Sequence, residues 1–379
     1  MTLFLGSEIY RGSSYGDWHP LRVPRVSTVM DLARALGWLP PEMYRTSPRA
    51  KPAALEVWHA PDYLAALQRA EREGDLPEDS RRRYALGTPS NPIFPEVYRR
   101  PATGAGGALW AGEVLRAPGI IHLPGGGTHH GMPAQANGFC YLNDCVLAIL
   151  ALRRAGLRRV AYVDIDAHYP DGVAAAFGDA ADVLMISVHE AGRWPRQGHE
   201  ADRGAGGCQV NLPIPAGSHD GDLHAILDGV ALPWIEAFRP DAIVLQCGAD
   251  GVVEDPQSRL AYSNRVYGAW VRAMRARTDR LLVLGGGGYN PWSVGRAWTA
   301  IWGEIIGAEV PARLPDPARA VLEALTWTRA GRAVTPPRAW VETLLDDPRE
   351  GPVSAEVTGM VDRHRRRLEA FEQGATAGA

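Results

Sequence analysis

Along the chain, short runs of consecutive apolar residues alternate with longer segments in which apolar side chains recur every three or four positions. Five runs read as buried strands: GIIHLP at 119–124, RVAYVDID at 159–166, DVLMISVH at 182–189, DAIVLQCGAD at 241–250 and LLVLGGGGY at 281–289. They lack the apolar-polar alternation of a strand with one wet face, so both of their faces must be covered. Between them, NDCVLAILALRRAG from 143, DLHAILDGVALPWIEAF from 222 and NRVYGAWVRAMRAR from 264 carry helical periodicity. Strand, helix, strand order predicts an α/β fold, a parallel sheet with helices on both faces. The Gly/Pro-rich stretches 74–107 and 189–222 read as long loops, and EQGATAGA at the carboxyl end as a disordered tail.

Each apolar run ends at its carboxyl side in something chemically unusual: GGGTHHG, DIDAHYPD, SVHE, CGADG and GGGGYN. In open α/β sheets, ligands bind at the carboxyl ends of the strands, so these five ends converge on one site. If the strand persists through Asp166, residues two apart share a face, and Asp166 and His168 can turn toward one ion with Asp164 a step behind. Asp250 supplies a third ligand from another strand end. Singly, Asp166 is an ordinary helix cap and His168 an ordinary loop histidine. As a set, two carboxylates and an imidazole with an open position suit Zn²⁺ or Fe²⁺, which polarises a carbonyl and acidifies a bound water.

His129 and His130 follow a glycine turn that lets the backbone approach a ligand. They read as a proton-transfer pair, as two further ligands or as a surface loop. As a proton-transfer pair, each needs a carboxylate to fix its tautomer, and Asp164 and Asp171 are left over for that task. Tyr289, after four glycines, can donate to an oxyanion, although a glycine run before an aromatic is also an ordinary tight turn. Neither glycine stretch has the spacing or the Gly-Lys-Ser/Thr ending of a phosphate loop.

Composition narrows the setting. With 40 basic against 43 acidic residues and a net charge of −3, the chain has no field to attract nucleic acid or an anionic membrane. No stretch approaches the ~20 apolar residues that cross a bilayer, and MTLFLGSEIYRGS lacks the charged start and apolar core of a secretion signal. The expectation is a soluble, cytoplasmic protein without nucleic-acid or membrane partners, its oligomeric state left open. Cys140, Cys145, Cys208 and Cys247 are too few and scattered for a disulfide framework or a Cys-x2-Cys zinc site, and are expected to be reduced and buried.

These motifs resemble the histone deacetylase superfamily of zinc-dependent amidohydrolases. HPLRVPR at 19–25, VWHAPDYLAAL at 57–67, GGGTHHG, GFCYLNDCVLAI at 138–149, DIDAHYPDG, SVHE, QCGADG and GGGGYN occur in the family's order and at similar separations. The likeness covers roughly residues 1–310. It implies a single arginase/deacetylase-like domain with a mostly parallel eight-stranded sheet, while 311–379 looks like the helical extension of the bacterial acetoin utilisation branch, packed on the same domain. Position by position, it implies Asp166, His168 and Asp250 as metal ligands, and His129 and His130 as general base and acid with Asp164 and Asp171 as their partners. Tyr289 becomes the oxyanion donor. Gly138 and Phe139 line an acyl-lysine channel, with Arg25 near an internal cavity that continues it. A structural K⁺ is implied at Asp164, Ser187 and the carbonyls of Asp166, His168 and Val188. The implied substrate is an acylated lysine of a protein or peptide, or a small acylated amine such as an acetylpolyamine.

Two departures stand out. Most relatives have His-Gly where this chain has Tyr169-Pro170, and proline fixes φ and removes an N–H, which leaves the loop carrying His168 and Asp171 open to repositioning and the acyl-binding function open to loss of turnover. In TPSNPIFPE, Ser90 stands where relatives often place a substrate-gripping aspartate, which weakens the case for a protein substrate.

Overall fold

Successive residues of the central strands point to opposite sides of one sheet, and both sides are apolar. Val160 and Tyr162 pack with Ala242, Val244, Leu282 and Leu284 on one face, while Ala161 and Val163 pack with Ile243, Leu245, Leu281 and Val283 on the other. In this computed structural model, which describes residues 1–329 and 331–377, the strands are β1 (Thr2–Gly6), β2 (Tyr44–Thr46), β3 (Gly119–Leu123), β4 (Val160–Asp164), β5 (Val183–Glu190), β6 (Gln209–Ile214), β7 (Ala242–Gln246) and β8 (Arg280–Leu284). They form one eight-stranded sheet in the order β2-β1-β3-β8-β7-β4-β5-β6, with every neighbouring pair parallel. The five runs read from the sequence supply β3, β8, β7, β4 and β5, which are contiguous in the sheet. The strands that the pattern did not announce are β1 beside β3 and the edges β2 and β6. Edge β2 is three residues long, and β6 carries Pro213, which an edge strand tolerates.

The flanking helices used below are α1 (Val26–Ala35), α2 (Arg99–Val114), α3 (Asp144–Arg154), α4 (Asp171–Phe177), α5 (Arg265–Arg275), α6 (Pro291–Ile306) and α7 (Ala355–Ala377). Helices α2 and α3 cover one face, and α1, α5, α6 and α7 the other. Helix α6 is buried all round, with Trp292, Trp298 and Trp302 each under 2 % exposed, so it shows no amphipathic stripe. Its start is set by Pro291 in the first turn and Asn290, whose side chain accepts from Trp292 N and Ser293 N. That cap fixes the residue before it, Tyr289.

Three expectations need correction. The supposed loop 74–107 contains a short helix, Glu78–Tyr84, and the whole glycine-rich first half of α2, whose glycines serve close packing: a Cβ on Gly106 would lie 2.1 Å from the Pro48 carbonyl, and one on Gly112 2.5 Å from Ala151 Cβ. The stretch 189–222 holds β6 as well as irregular chain. The tail is helical through Ala377, with residues 378 and 379 outside the described part. The segment from 311 onward packs its own apolar residues, including Leu314, Leu322 and Leu344, against Leu32 and Trp292, and Val357, Met360 and Leu368 against the main core. All four cysteines are free and buried. Among the described residues, no helix is long and apolar enough to cross a membrane.

Candidate metal-dependent active site

The turn after β3 is pinned from α3. Asp144, in the first turn of that helix, accepts from Gly127 N at 2.7 Å, Thr128 N at 3.1 Å and Thr128 Oγ1 at 2.7 Å. Gly127 has φ +94°, and a Cβ there would meet the Gly285 carbonyl at 2.4 Å, so glycine alone allows the two loops to touch. The chain then delivers His129 and His130, both buried. His129 Nδ1 lies 2.8 Å from Asp164 Oδ2 and His130 Nδ1 2.7 Å from Asp171 Oδ1. With each Nδ1 thus occupied by a carboxylate, the two Nε2 atoms face each other at 3.0 Å. Burial pushes His129 down, but Asp164 and Asp166 outweigh it and hold it at about 9. Burial and the charge of His129 push His130 to about 4 despite Asp171. The pair is therefore built to share one proton.

Strand β4 ends at Asp164 rather than continuing through Asp166. The approach of Asp166 and His168 is made instead by turns: Asp164 Oδ1 accepts from Asp166 N at 3.0 Å, and Asp166 Oδ1 from His168 N at 3.0 Å. His168 Nδ1 lies 3.1 Å from Asp166 Oδ1 and 2.9 Å from Asp250 Oδ2, and one donor atom from each of the three falls within 4.8 Å of the others. Gln246 Nε2 at 3.0 Å and Gly287 N at 2.8 Å donate to the other oxygen of Asp166, while Ala167 N donates to Asp250 Oδ1 at 2.9 Å. Both carboxylates are thus oriented from behind. Burial and the neighbouring Asp166 raise Asp250, and against burial the two carboxylates lift His168 to about 10. Two fully buried carboxylates this close are unfavourable without a cation. A Cβ at Gly248 would sit 1.9 Å from Asp166 Oδ2 and one at Gly287 2.0 Å from Asp250 Oδ2, so the cradle is kept clear by two glycines. Two carboxylate oxygens and an imidazole nitrogen fit a divalent metal of the Zn²⁺ or Fe²⁺ kind.

A cleft of about 430 Å³ opens over this floor, lined by His130, His168, Gly138, Phe139, Trp194 and Tyr289 among others. Phe139 has φ +69°, a strained value for an aromatic residue. Asn91 Oδ1 accepts its N–H at 3.0 Å and Tyr15 donates to its carbonyl at 3.3 Å. Its ring stands edge-on to Tyr289 at 5.9 Å. Tyr289 N donates to Asp255 at 2.6 Å, and burial with Asp250 nearby raises the phenol well above its usual range, so it stays a donor. Trp194 was not foreseen. It packs edge-on to His130 at 4.6 Å and fills the space a Gly138 Cβ would need. Asn137, also unforeseen, donates to Asp171 Oδ2 at 2.9 Å. Arg25 does not line the cleft: it lies behind the glycine run, donating to the Gly286 carbonyl at 2.6 Å.

At the Tyr169-Pro170 change, Pro170 immediately precedes α4, Tyr169 packs edge-on to His189 at 5.2 Å, and Asp171 stands 2.7 Å from His130 Nδ1. Ser90 lines the cleft, its carbonyl 3.2 Å from His19 Nε2. Ser187 pairs in register with Asp164 across β5 and β4, followed by Val188. Its hydroxyl lies 2.9 Å from His189 Nδ1.

The model of the histone deacetylase domain matches residues 19–305. The acetoin utilization protein AcuC of Bacillus subtilis is 32% identical over 327 residues, covering 83% of this chain and 84% of that protein. Histone deacetylase 8 of Xenopus tropicalis is 35% identical over 305 residues, 78% of this chain and 82% of its own. The crystal structure of a histone deacetylase homologue from Aquifex aeolicus superposes with a TM-score of 0.90 at 32% identity, over 96% of this chain and 99% of that one, and a homologue complexed with SAHA gives 0.89. The chain belongs to the histone deacetylase family.

Proposed function

We propose that the protein is a metal-dependent deacylase that hydrolyses an acyl amide, either an Nε-acetyl-lysine or a smaller acylated amine, in the cytoplasm. The observation that carries this reading is the gathering of Asp166, His168 and Asp250 at the floor of a cleft whose walls bring a carboxylate-braced histidine pair and a phenol. A divalent metal bound there supplies Lewis acidity, polarising the acyl carbonyl, acidifying a water and lowering the proton affinity of His129. His129, braced by Asp164, takes the proton of the attacking water at Nε2. His130, braced by Asp171, delivers a proton to the departing amine, and the 3.0 Å between the two Nε2 atoms lets the pair pass it on. Tyr289 donates its phenolic hydrogen to the oxyanion. Phe139 and Trp194 grip the methylenes of the acylated chain and exclude water. The pairing of Asp164 with Ser187 supports a structural K⁺ held with the carbonyls of Asp166, His168 and Val188.

The carboxylates that could select a polyamine are engaged elsewhere. Glu190 is bound by Arg193 and Arg259, Glu200 by Arg363, and Asp255 lies buried behind Tyr289. Metal analysis combined with a fluorogenic acetyl-lysine assay tests the reading. Stoichiometric Zn²⁺ or Fe²⁺ is expected, with kcat falling roughly 10²–10³-fold in Tyr289→Phe. Bound metal without turnover on any acyl amine would instead mark an acyl-binding protein.

A further inference from the structure

Helix α7 carries Arg363, Arg366 and Arg367 at i, i+3 and i+4, on one face. Like charges at that spacing repel, so the helix gains nothing from them on its own account. Arg203, in the stretch leading to β6, joins them. With Glu200, Ala201 and His364, these four arginines line a cavity of about 480 Å³ that shares no residue with the catalytic cleft. One carboxylate enters it, and Glu200 is held by Nε and Nη2 of Arg363, at 2.6 and 2.7 Å. Among the described residues, that is the single ion pair made by the four arginines.

Two of the residues that line this cavity carry a buried nitrogen without a hydrogen-bond partner in the chain: Nδ1 of His364, a residue only 2 % exposed, and Nη1 of Arg367. Both side chains are fixed by their other nitrogens. His364 Nε2 lies 3.1 Å from the Asn211 carbonyl on β6, and Arg367 Nη2 donates to the carbonyls of Gly207 and Gln209 while its guanidinium lies over the Trp234 ring at 4.9 Å. Buried polar atoms of this kind are satisfied in native proteins by something, and here nothing in the chain does so. A single partner for both would accept from a guanidinium and either donate to a neutral imidazole nitrogen or draw a proton onto it. A phosphate does both, because its second ionisation lies near neutrality and it keeps three acceptor oxygens.

We infer that this cavity is a binding site for a small phosphorylated ligand, its phosphate held by Arg203, Arg366 and Arg367 with His364 at the back. The volume leaves room for an organic portion beyond the phosphate.

Titration calorimetry of the full, metal-loaded chain with inorganic pyrophosphate at constant ionic strength tests the assignment. Saturable binding at one site per chain is expected. The Arg203→Ala/Arg366→Ala variant changes two exposed side chains and should weaken binding at least tenfold, with its melting temperature and acetyl-lysine turnover unchanged. Absence of saturable binding overturns the site, and so does an affinity unchanged in the variant. Phosphatidylglycerol vesicles and a DNA duplex run in parallel; binding confined to either would assign the arginines to a surface contact and overturn the small-ligand reading.

Discussion

Gly248 and Gly287 show how much of the site depends on atoms that are missing. Each lies where a single methyl group would strike a carboxylate oxygen of the ligand set. Gly248→Ala should therefore lower the metal-to-protein ratio well below that of the parent, read by elemental analysis, with turnover falling by roughly two orders of magnitude or more because the Lewis acid is lost. Trp194→Ala removes the wall beside His130 and should raise KM for acetyl-lysine about tenfold while narrowing the preference for acetyl over longer acyl groups, measured as a ratio of kcat/KM values. The convergence of Asp166, His168, Asp250, the histidine pair and Tyr289 was legible in the sequence because each is a reactive group at the end of an apolar run. Trp194 and Asn137 were not, since they reach the cleft from irregular chain that carries no periodicity. The turn that brings Asp166 to His168 was also hidden: the shared-face argument assumed a strand two residues longer than the one that forms.

At the level of elements, α2 illustrates tertiary packing overriding local preference. Glycine in a helix interior costs about 1 kcal/mol relative to alanine, and a stretch holding Gly104, Gly106 and Gly107 reads naturally as loop. The helix forms because close approach requires it, with Gly106 against the Pro48 carbonyl and Gly112 against α3. Gly106→Val should lower the unfolding free energy by about 1–3 kcal/mol, read from the urea midpoint, because backbone cannot yield as a side chain can. The buried strands were legible from their unbroken apolar runs. Edge strands β2 and β6 were not, since β2 is only three residues long and largely exposed, and β6 mixes polar residues and a proline into its run while α7 covers its outer edge.

For the whole molecule, buried neutral histidines set the response to acid. Burial is the leading cause that lowers His19, His59, His122, His189 and His364 to about 4. The unfolded chain binds protons at these groups from about pH 6.5 downward, whereas the folded chain resists until about pH 4. The stability they contribute is present above the unfolded value and is lost as pH falls through that window, at up to about 1.4 kcal/mol per pH unit for each group. Urea midpoints should accordingly drop steeply between pH 6.5 and 4 and stay nearly level from 7 to 8 in metal-loaded protein. Removing the metal with a chelator should lower the melting temperature at neutral pH, since Asp166 and Asp250 then face each other without a dication, and added Zn²⁺ should restore it.

Strands β7 and β8 are the last two of the sheet along the chain, yet they lie in its middle, between β3 and β4. A nascent polypeptide still lacking them holds the histidine pair on one incomplete half and Asp166 with His168 on another, with no edge in common. Asp250 and Tyr289 emerge from the ribosome only with those late strands. Under the proposed reading, the site is therefore completed only when β7 and β8 enter the sheet, and a translation product stopped before them lacks both Asp250 and Tyr289.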